Sequence, residues 1–174
     1  MFRHVNVVGA ITIPVPKNEL VSLLWDIRRI PDFDLKADRV EVRPYTEKSG
    51  FYRVWGRFAG IPWSRDFQYF LNDDGFYLRE SEPSGPEPAI HGGFMVQAVG
   101  PNESTVIHYE QYWFARRLVP LRPFLVAYLN WSVHQELKKI RRAALEKNAR
   151  SGVSSLAPQQ RQSSEDSSRR VSAR

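Results

Sequence analysis

Three polar residues stand on runs that are otherwise apolar, and their types suit carbonyl chemistry. The segment Ile61 to Asn72 reads IPWSRDFQYFLN. Alternate side chains of a strand share a face, so Trp63, Arg65, Phe67, Tyr69 and Leu71 lie together. An arginine in an apolar set must meet a carboxylate, a carbonyl or an enolate to offset its desolvation. Arg65 is therefore a candidate anchor for a ligand carbonyl or carboxylate. Pairing with a core acid, or reaching out at the sheet edge, would satisfy it equally. The segment Val106 to Phe114 (VIHYEQYWF) divides in the same way. Val106, His108, Glu110, Tyr112 and Phe114 share one face; Ile107, Tyr109, Gln111 and Trp113 share the other. If the first faces inward, His108 is a candidate acid/base and Glu110 its orienting partner, for proton abstraction beside a carbonyl. If the second does, Tyr109 and Gln111 line the interior and the pair is solvated.

Other chemistries find little support. The chain has no cysteine, which removes disulfides, thiolate metal sites and a cysteine nucleophile. Its four histidines, at 4, 91, 108 and 134, show no ligand spacing, so no metal is expected. His91 opens a strand beside Gly92-Gly93 and reads as a surface residue, as does His134. No glycine-rich phosphate loop follows a strand, and no Gly-x-Ser-x-Gly elbow is present. No cofactor is expected.

These residues need elements to hold them. Residues 3–13 (RHVNVVGAITI) are β-branched and loosely alternating, as in a strand. After Pro14 and Pro16, Leu20, Val21, Leu24 and Ile27 recur at helical spacing, with Trp25 beside them, until Pro31. A short second helix is expected over 32–37. Strands follow near 38–45, 51–59, 62–72, 75–82, 90–99 and 104–114. The breaks between them carry turn residues, among them Gly60, Asp74-Gly75 and Gly100-Pro101. From Pro120 and Pro123 to about Asn148, Leu125, Leu129, Val133, Leu137, Ile140 and Ala144 form one helical stripe. Phe124, Tyr128 and Trp131 widen its front, so residues 124–133 are expected to bury most deeply. Residues 1–149 then make one domain. Residues 150–174, rich in Ser, Gln and Arg, are expected to be a disordered tail.

Strand, two short helices, a six-strand meander and one long amphipathic helix predict an α+β fold in which a curved antiparallel sheet of seven strands wraps the final helix. This resembles the START-like (SRPBCC) superfamily, with its polyketide cyclase/dehydrase and lipid-transport family. The carriers are the opening strand with Ile13-Pro14-Val15-Pro16, Val21 to Phe33 (VSLLWDIRRIPDF), Gly92 to Val96 (GGFMV), Ser104 to His108 (STVIH) and the last helix. The resemblance spans roughly residues 3–148. It implies a helix-grip fold with a cavity for a hydrophobic ligand.

With 22 Trp, Tyr and Phe, rigid aromatic walls are available. Trp25, Trp63, Phe67, Tyr69, Phe94, Tyr112, Tyr128 and Trp131 are the expected ligand-binding side chains, though Trp25 and Trp131 serve equally as plain core. Arg65, His108 and Glu110 are the expected catalytic groups. The expected function is cofactor-independent ring closure or dehydration of a carbonyl-bearing chain, as the resemblance implies. The alternative is a non-catalytic carrier or sensor for a lipid, quinone or pigment. Net charge is +6. The basic cluster Lys138, Lys139, Arg141, Arg142 and Lys147 reads as a solvated helix face or as a docking surface for an anionic membrane or a carrier protein. No nucleic-acid motif is seen. Residues 1–9 lack the apolar run of a signal peptide, and 118–133 is too short and interrupted to span a bilayer, so a cytoplasmic location is expected.

Overall fold

The computed structural model describes residues 3–81, 90–114 and 120–156; of residues 3, 114 and 151–156 it describes the backbone alone. Seven strands form one antiparallel sheet: β1 (Arg3–Ile13), β2 (Ala37–Thr46), β3 (Ser49–Phe58), β4 (Ile61–Asn72), β5 (Gly75–Glu80), β6 (Ile90–Gly100) and β7 (Glu103–Phe114). Their order is β1-β7-β6-β5-β4-β3-β2, so the first strand closes one edge and the meander runs to the other. Helix α1 (Lys17–Leu24), a 3-10 turn (Ile27–Arg29) and α2 (Ile30–Phe33) bridge the two edges, and α3 (Arg122–Leu156) lies across the sheet.

Alternation sets the faces. Val5, Val7 and Ile13 of β1, Tyr52 and Val54 of β3, Phe67 and Tyr69 of β4, and Val106, His108 and Tyr112 of β7 are buried on the concave side. The β3–β4 hairpin turns on Ala59 (φ 49°) and Gly60 (φ 84°), the paired left-handed conformations that match sheet twist. After α2, Asp34 is extended, residues 35 and 36 form a turn and β2 begins at Ala37, where the sequence suggests a helix to residue 37.

Helix α3 buries Leu129, Val133, Leu137, Ile140 and Ala144, together with Ser132 and Glu136. It packs mainly on β1, where Gly9 lets it come close: a Cβ there would sit 2.7 Å from Val133 Cγ1 and 2.8 Å from Leu137 Cδ1. The expectation that residues 124–133 bury most deeply is corrected. Phe124 is 75 % exposed and Trp131 53 %. Turning 100° per residue puts both about half a turn away from Val133, on the side of exposed Lys138. The helical backbone also continues past the expected domain boundary at 149 to Leu156. The rest of the expected tail, 157–174, lies outside the described residues.

Candidate functional site

The site begins at the turn after α2. Asp34 Oδ1 accepts the backbone N–H of Lys36 at 2.7 Å, which folds the turn on itself. The carbonyl of Lys36 accepts the Arg57 N–H at 3.1 Å and the Trp63 indole N–H at 2.9 Å, fixing the turn to β3 and β4. Only a glycine at 56 permits this approach, because a Cβ there would overlap the Lys36 carbonyl. Anchored so, the buried Lys36 side chain runs inward beneath α3.

Its ammonium meets four side chains. Lys36 Nζ contacts Glu136 Oε1, lies 3.1 Å from Glu110 Oε1 and 3.3 Å from Asp34 Oδ1, and donates to Ser132 Oγ at 3.2 Å. Ser132 in turn donates to Glu136 Oε1 at 2.6 Å, one helical turn along α3. On the sheet side, the His108 ring lies flat on Phe94, with centroids 3.9 Å apart and planes 8° apart. Its Nδ1 donates to the Gly93 carbonyl at 3.0 Å. Its Nε2 lies 2.9 Å from Glu136 Oε2 and 3.5 Å from Glu110 Oε1. Those two contacts are ionic, since the N–H direction misses both oxygens. Tyr112 OH donates to Glu110 Oε2 at 3.0 Å.

The charges follow from this geometry. Burial alone would drive His108 towards the neutral ring, but the flanking Glu110 and Glu136 outweigh it and push its pKa up to about 10. Burial likewise opposes the charge on Lys36, and Asp34 and Glu110 lead the acids that hold it well above the usual amine range. Burial raises Glu136 and Glu110, but Lys36 and His108 hold both below the usual carboxylate range. Asp34 goes the other way: burial outweighs Lys36 and lifts its carboxyl to about 6. Burial and nearby acids raise Tyr52 and Tyr112 well above the usual phenol range. The accessible members of the cluster are Asp34, with 23 % of its side chain exposed, and Glu110, with 11 %.

His108, Glu110 and Glu136 bring one ligand atom each within 4.8 Å of one another, a donor set that a metal ion could use. The Lys36 ammonium, in contact with both carboxylates, already fills the cationic position.

The face of β7 left open by periodicity is thereby decided: His108 and Glu110 point inward and meet. Arg65 does not join them. It shares their side of the sheet but is 49 % exposed, with Nε 2.9 Å from buried Glu80 Oε1 and an N–H donated to the Ser64 carbonyl. An arginine on β4 two residues beyond the last β4–β5 pair, Phe67 with Glu80, reaches solvent with its head while its charge answers a core acid.

Of the expected aromatic walls, Phe67 stacks on Tyr52 at 5.2 Å, and Tyr69, Phe94 and Tyr112 are buried. Trp63 and Tyr128 are half-buried, the latter edge-on to Phe58 at 5.2 Å. Trp25 donates to the Asn72 and Gly75 carbonyls and lines a separate open groove of about 690 Å³ with Pro16, Val21 and Pro101. Trp131 faces outward and lines nothing inside. His91 is half-buried on the convex face, held by Tyr77 OH and Gln111.

Asp34, Lys36, Ser132 and Glu136 escape the sequence reading. Glu136 had a signal: it sits three residues after Val133 and four before Ile140, an acid on the apolar stripe. Lys36 had none, because its direction is set by the turn and by Gly56.

No family model matches the chain. Among curated proteins, an alanine–tRNA ligase of Solibacter usitatus is 27 % identical over 85 residues; this stretch is 49 % of the chain and 10 % of that protein. Solved structures agree far more broadly. The Zhui aromatase/cyclase from Streptomyces sp. R1128 superposes with a TM-score of 0.71 at 13 % identity, over 83 % of this chain and 96 % of that one. A START superfamily protein from Mycobacterium smegmatis gives 0.67 at 10 %, over 83 % and 99 %. Human STARD10 gives 0.57 at 13 %, over 81 % of this chain and 63 % of that one. With its seven-stranded curved sheet and long final helix, the chain has the START-like helix-grip fold.

Proposed function

We propose that the chain binds an apolar, carbonyl-bearing small molecule between the sheet and α3, and promotes its ring closure or dehydration without a cofactor. The observation that carries this reading is the buried cluster of Lys36, His108, Glu110 and Glu136, with Asp34 at its accessible side. A cavity that only stores an apolar molecule needs no such group of charges, since desolvating them is costly. Asp34 has the carboxyl best matched to proton transfer near neutral pH. His108 is protonated at that pH, so it serves as a fixed positive charge beside Glu110 rather than as a base. The Zhui aromatase/cyclase has the same fold, which supports but does not by itself carry the reaction class.

The carrier reading keeps one observation in its favour: both interior cations are already matched by acids. The exposed Lys138, Arg141 and Arg142 of α3 would suit docking of either form on an anionic surface. A cytoplasmic site of action fits both; no described helix is long and apolar enough to cross a membrane.

Native mass spectrometry of the chain from its own host, followed by incubation with a linear poly-β-ketone mimic, separates the readings. New ring absorbance, lost in Asp34→Asn while the mimic still binds, establishes the enzyme. Return of the mimic unchanged by the wild-type chain establishes the carrier.

A further inference from the structure

The charges inside this site limit what it can hold. Among the described residues, the cluster has two cations, Lys36 and His108, and three acids, Asp34, Glu110 and Glu136, all joined by the contacts given above. Counting every group as ionised, two positive and three negative charges sum to −1. Protonating Asp34 brings the sum to zero, and a neutral His108 would make it more negative. The Arg65–Glu80 ion pair, whose arginine head is half exposed, cancels itself. With Glu110 and Glu136 held ionised by Lys36 and His108, no state of Asp34 or His108 leaves a positive charge over for a ligand anion. Each cationic head is also consumed: the Lys36 ammonium is shared among Glu136, Glu110, Asp34 and Ser132, and His108 is enclosed by Gly93, Glu136 and Glu110.

The His108 Nε2–H, which has no hydrogen-bond acceptor, is buried against Glu136 and Glu110; on the accessible side the atom left over is an acceptor. Asp34 Oδ1 is used by Lys36, whereas Asp34 Oδ2 has no partner among the described residues. Asp34 and Glu110 are also the two members that reach accessible space. An ionised carboxylate offers lone pairs and no proton, so it rewards a donor and repels another anion.

We propose that the ligand of this site is an uncharged molecule whose polar end carries a hydroxyl or enolic O–H donated to Asp34, and that the same apolar chain ending in a carboxylate is rejected. This rests on the reading that an apolar ligand lies between the sheet and α3. It turns the sequence-based expectation for Arg65 around: an arginine spoken for by Glu80 recruits no ligand carboxylate, and the interior selects against one. For a carbonyl-bearing substrate, the form recognised is the enol or a β-hydroxy ketone rather than a free acid.

The test uses the full chain at pH 8 with Nile red, an uncharged dye, as the reporter of an apolar site. The bound dye is displaced with 1-decanol, methyl decanoate or decanoate, which differ only at the polar end. Decanol is expected to displace at a concentration at least tenfold below that of decanoate, with methyl decanoate between them. In Asp34→Asn, checked for native circular dichroism, the decanol–decanoate gap is expected to shrink several-fold. Equal or better displacement by decanoate overturns the proposal and leaves the apolar-site reading standing. Methyl decanoate matching decanol overturns the O–H requirement. A gap unchanged in Asp34→Asn overturns the role of Asp34. Failure of Nile red to bind at all overturns the apolar-site reading, and this proposal with it.

Discussion

The carbonyl oxygen of Lys36 occupies the space where a side chain on Gly56 would begin. The turn carrying the interior ammonium is thus seated on β3 by the absence of one carbon atom. Gly56→Ala should push the turn off the strand, break the Arg57 and Trp63 hydrogen bonds and withdraw Lys36 from its acids. We expect a loss of about 2–3 kcal/mol in urea unfolding, at the upper end of ordinary single substitutions. The control is Gly60→Asn. That position, unlike Gly56, has a left-handed φ, but open space surrounds it and Asn tolerates the conformation, so the loss should stay under about 1 kcal/mol. Equal midpoints for the two variants would remove Gly56 from the account.

Taking away the ammonium itself should be worse than taking away the pair. Lys36→Met leaves Glu136, Glu110 and Asp34 facing one another in a dry interior. A buried ion pair broken from one side costs about 3–5 kcal/mol. Adding Glu136→Gln to Lys36→Met should recover part of that loss, because one uncompensated charge disappears. A double variant that is less stable than Lys36→Met would show that the two residues are not coupled as described.

Two pH effects have opposite origins and separable ranges. Asp34 is lifted from 3.8 to about 6 in the folded chain, so the native state holds this proton more tightly than the unfolded one. Its contribution is complete below 3.8 and is lost as pH rises through 6. The stability of the wild type relative to Asp34→Asn should therefore fall between pH 4 and 7. A rise over that interval would contradict the burial assigned to Asp34. His108 is lifted from 6.5 to about 10, so its contribution is complete below 6.5 and is lost as pH climbs through 10. Its ring nitrogens should report an imidazolium in NMR spectra throughout pH 5–8. Titration of His108 near 6.5 would refute the cluster's electrostatics.

Helix α3 should show an inverted profile for its large residues. Phe124→Ser and Trp131→Ala, on the outer side, should change unfolding free energy by less than about 0.5 kcal/mol. Leu137→Ala, on the buried side, should cost about 2–5 kcal/mol. Comparable losses at Trp131 and Leu137 would mean that the helix is rotated from the position described.

The strands were legible because alternation and turn residues agree along the whole meander, and the order of elements then left few ways to bury the sheet. The pairing of His108 with Glu110 was legible once a face was chosen, since i and i+2 on a strand are neighbours by construction. The rest of the site was not, for a physical reason: its members meet through tertiary closure rather than through spacing. Lys36 lies in a short turn with no period, and its inward direction depends on Gly56, on a strand that follows it. Arg65 misled because alternation reports which face a residue occupies, not how far its head extends along that face. Trp131 misled for a related reason. It is apolar, but its helical phase is that of Lys138, and phase governs burial more strictly than residue type.

Lys36 and Glu136 meet across a separation of 100 residues, and the whole meander from β2 to β7 lies between them. Closing so long a loop is slow, and the contact can form only after the intervening strands are in register. Before then the chain carries an acid on an apolar helix face, with water as its partner. The ion pair therefore acts late, as a latch: it does little to hasten folding and much to slow escape from the finished state. A molecule that lacks the latch could still assemble its sheet, yet it would hold its helix loosely over whatever lies beneath.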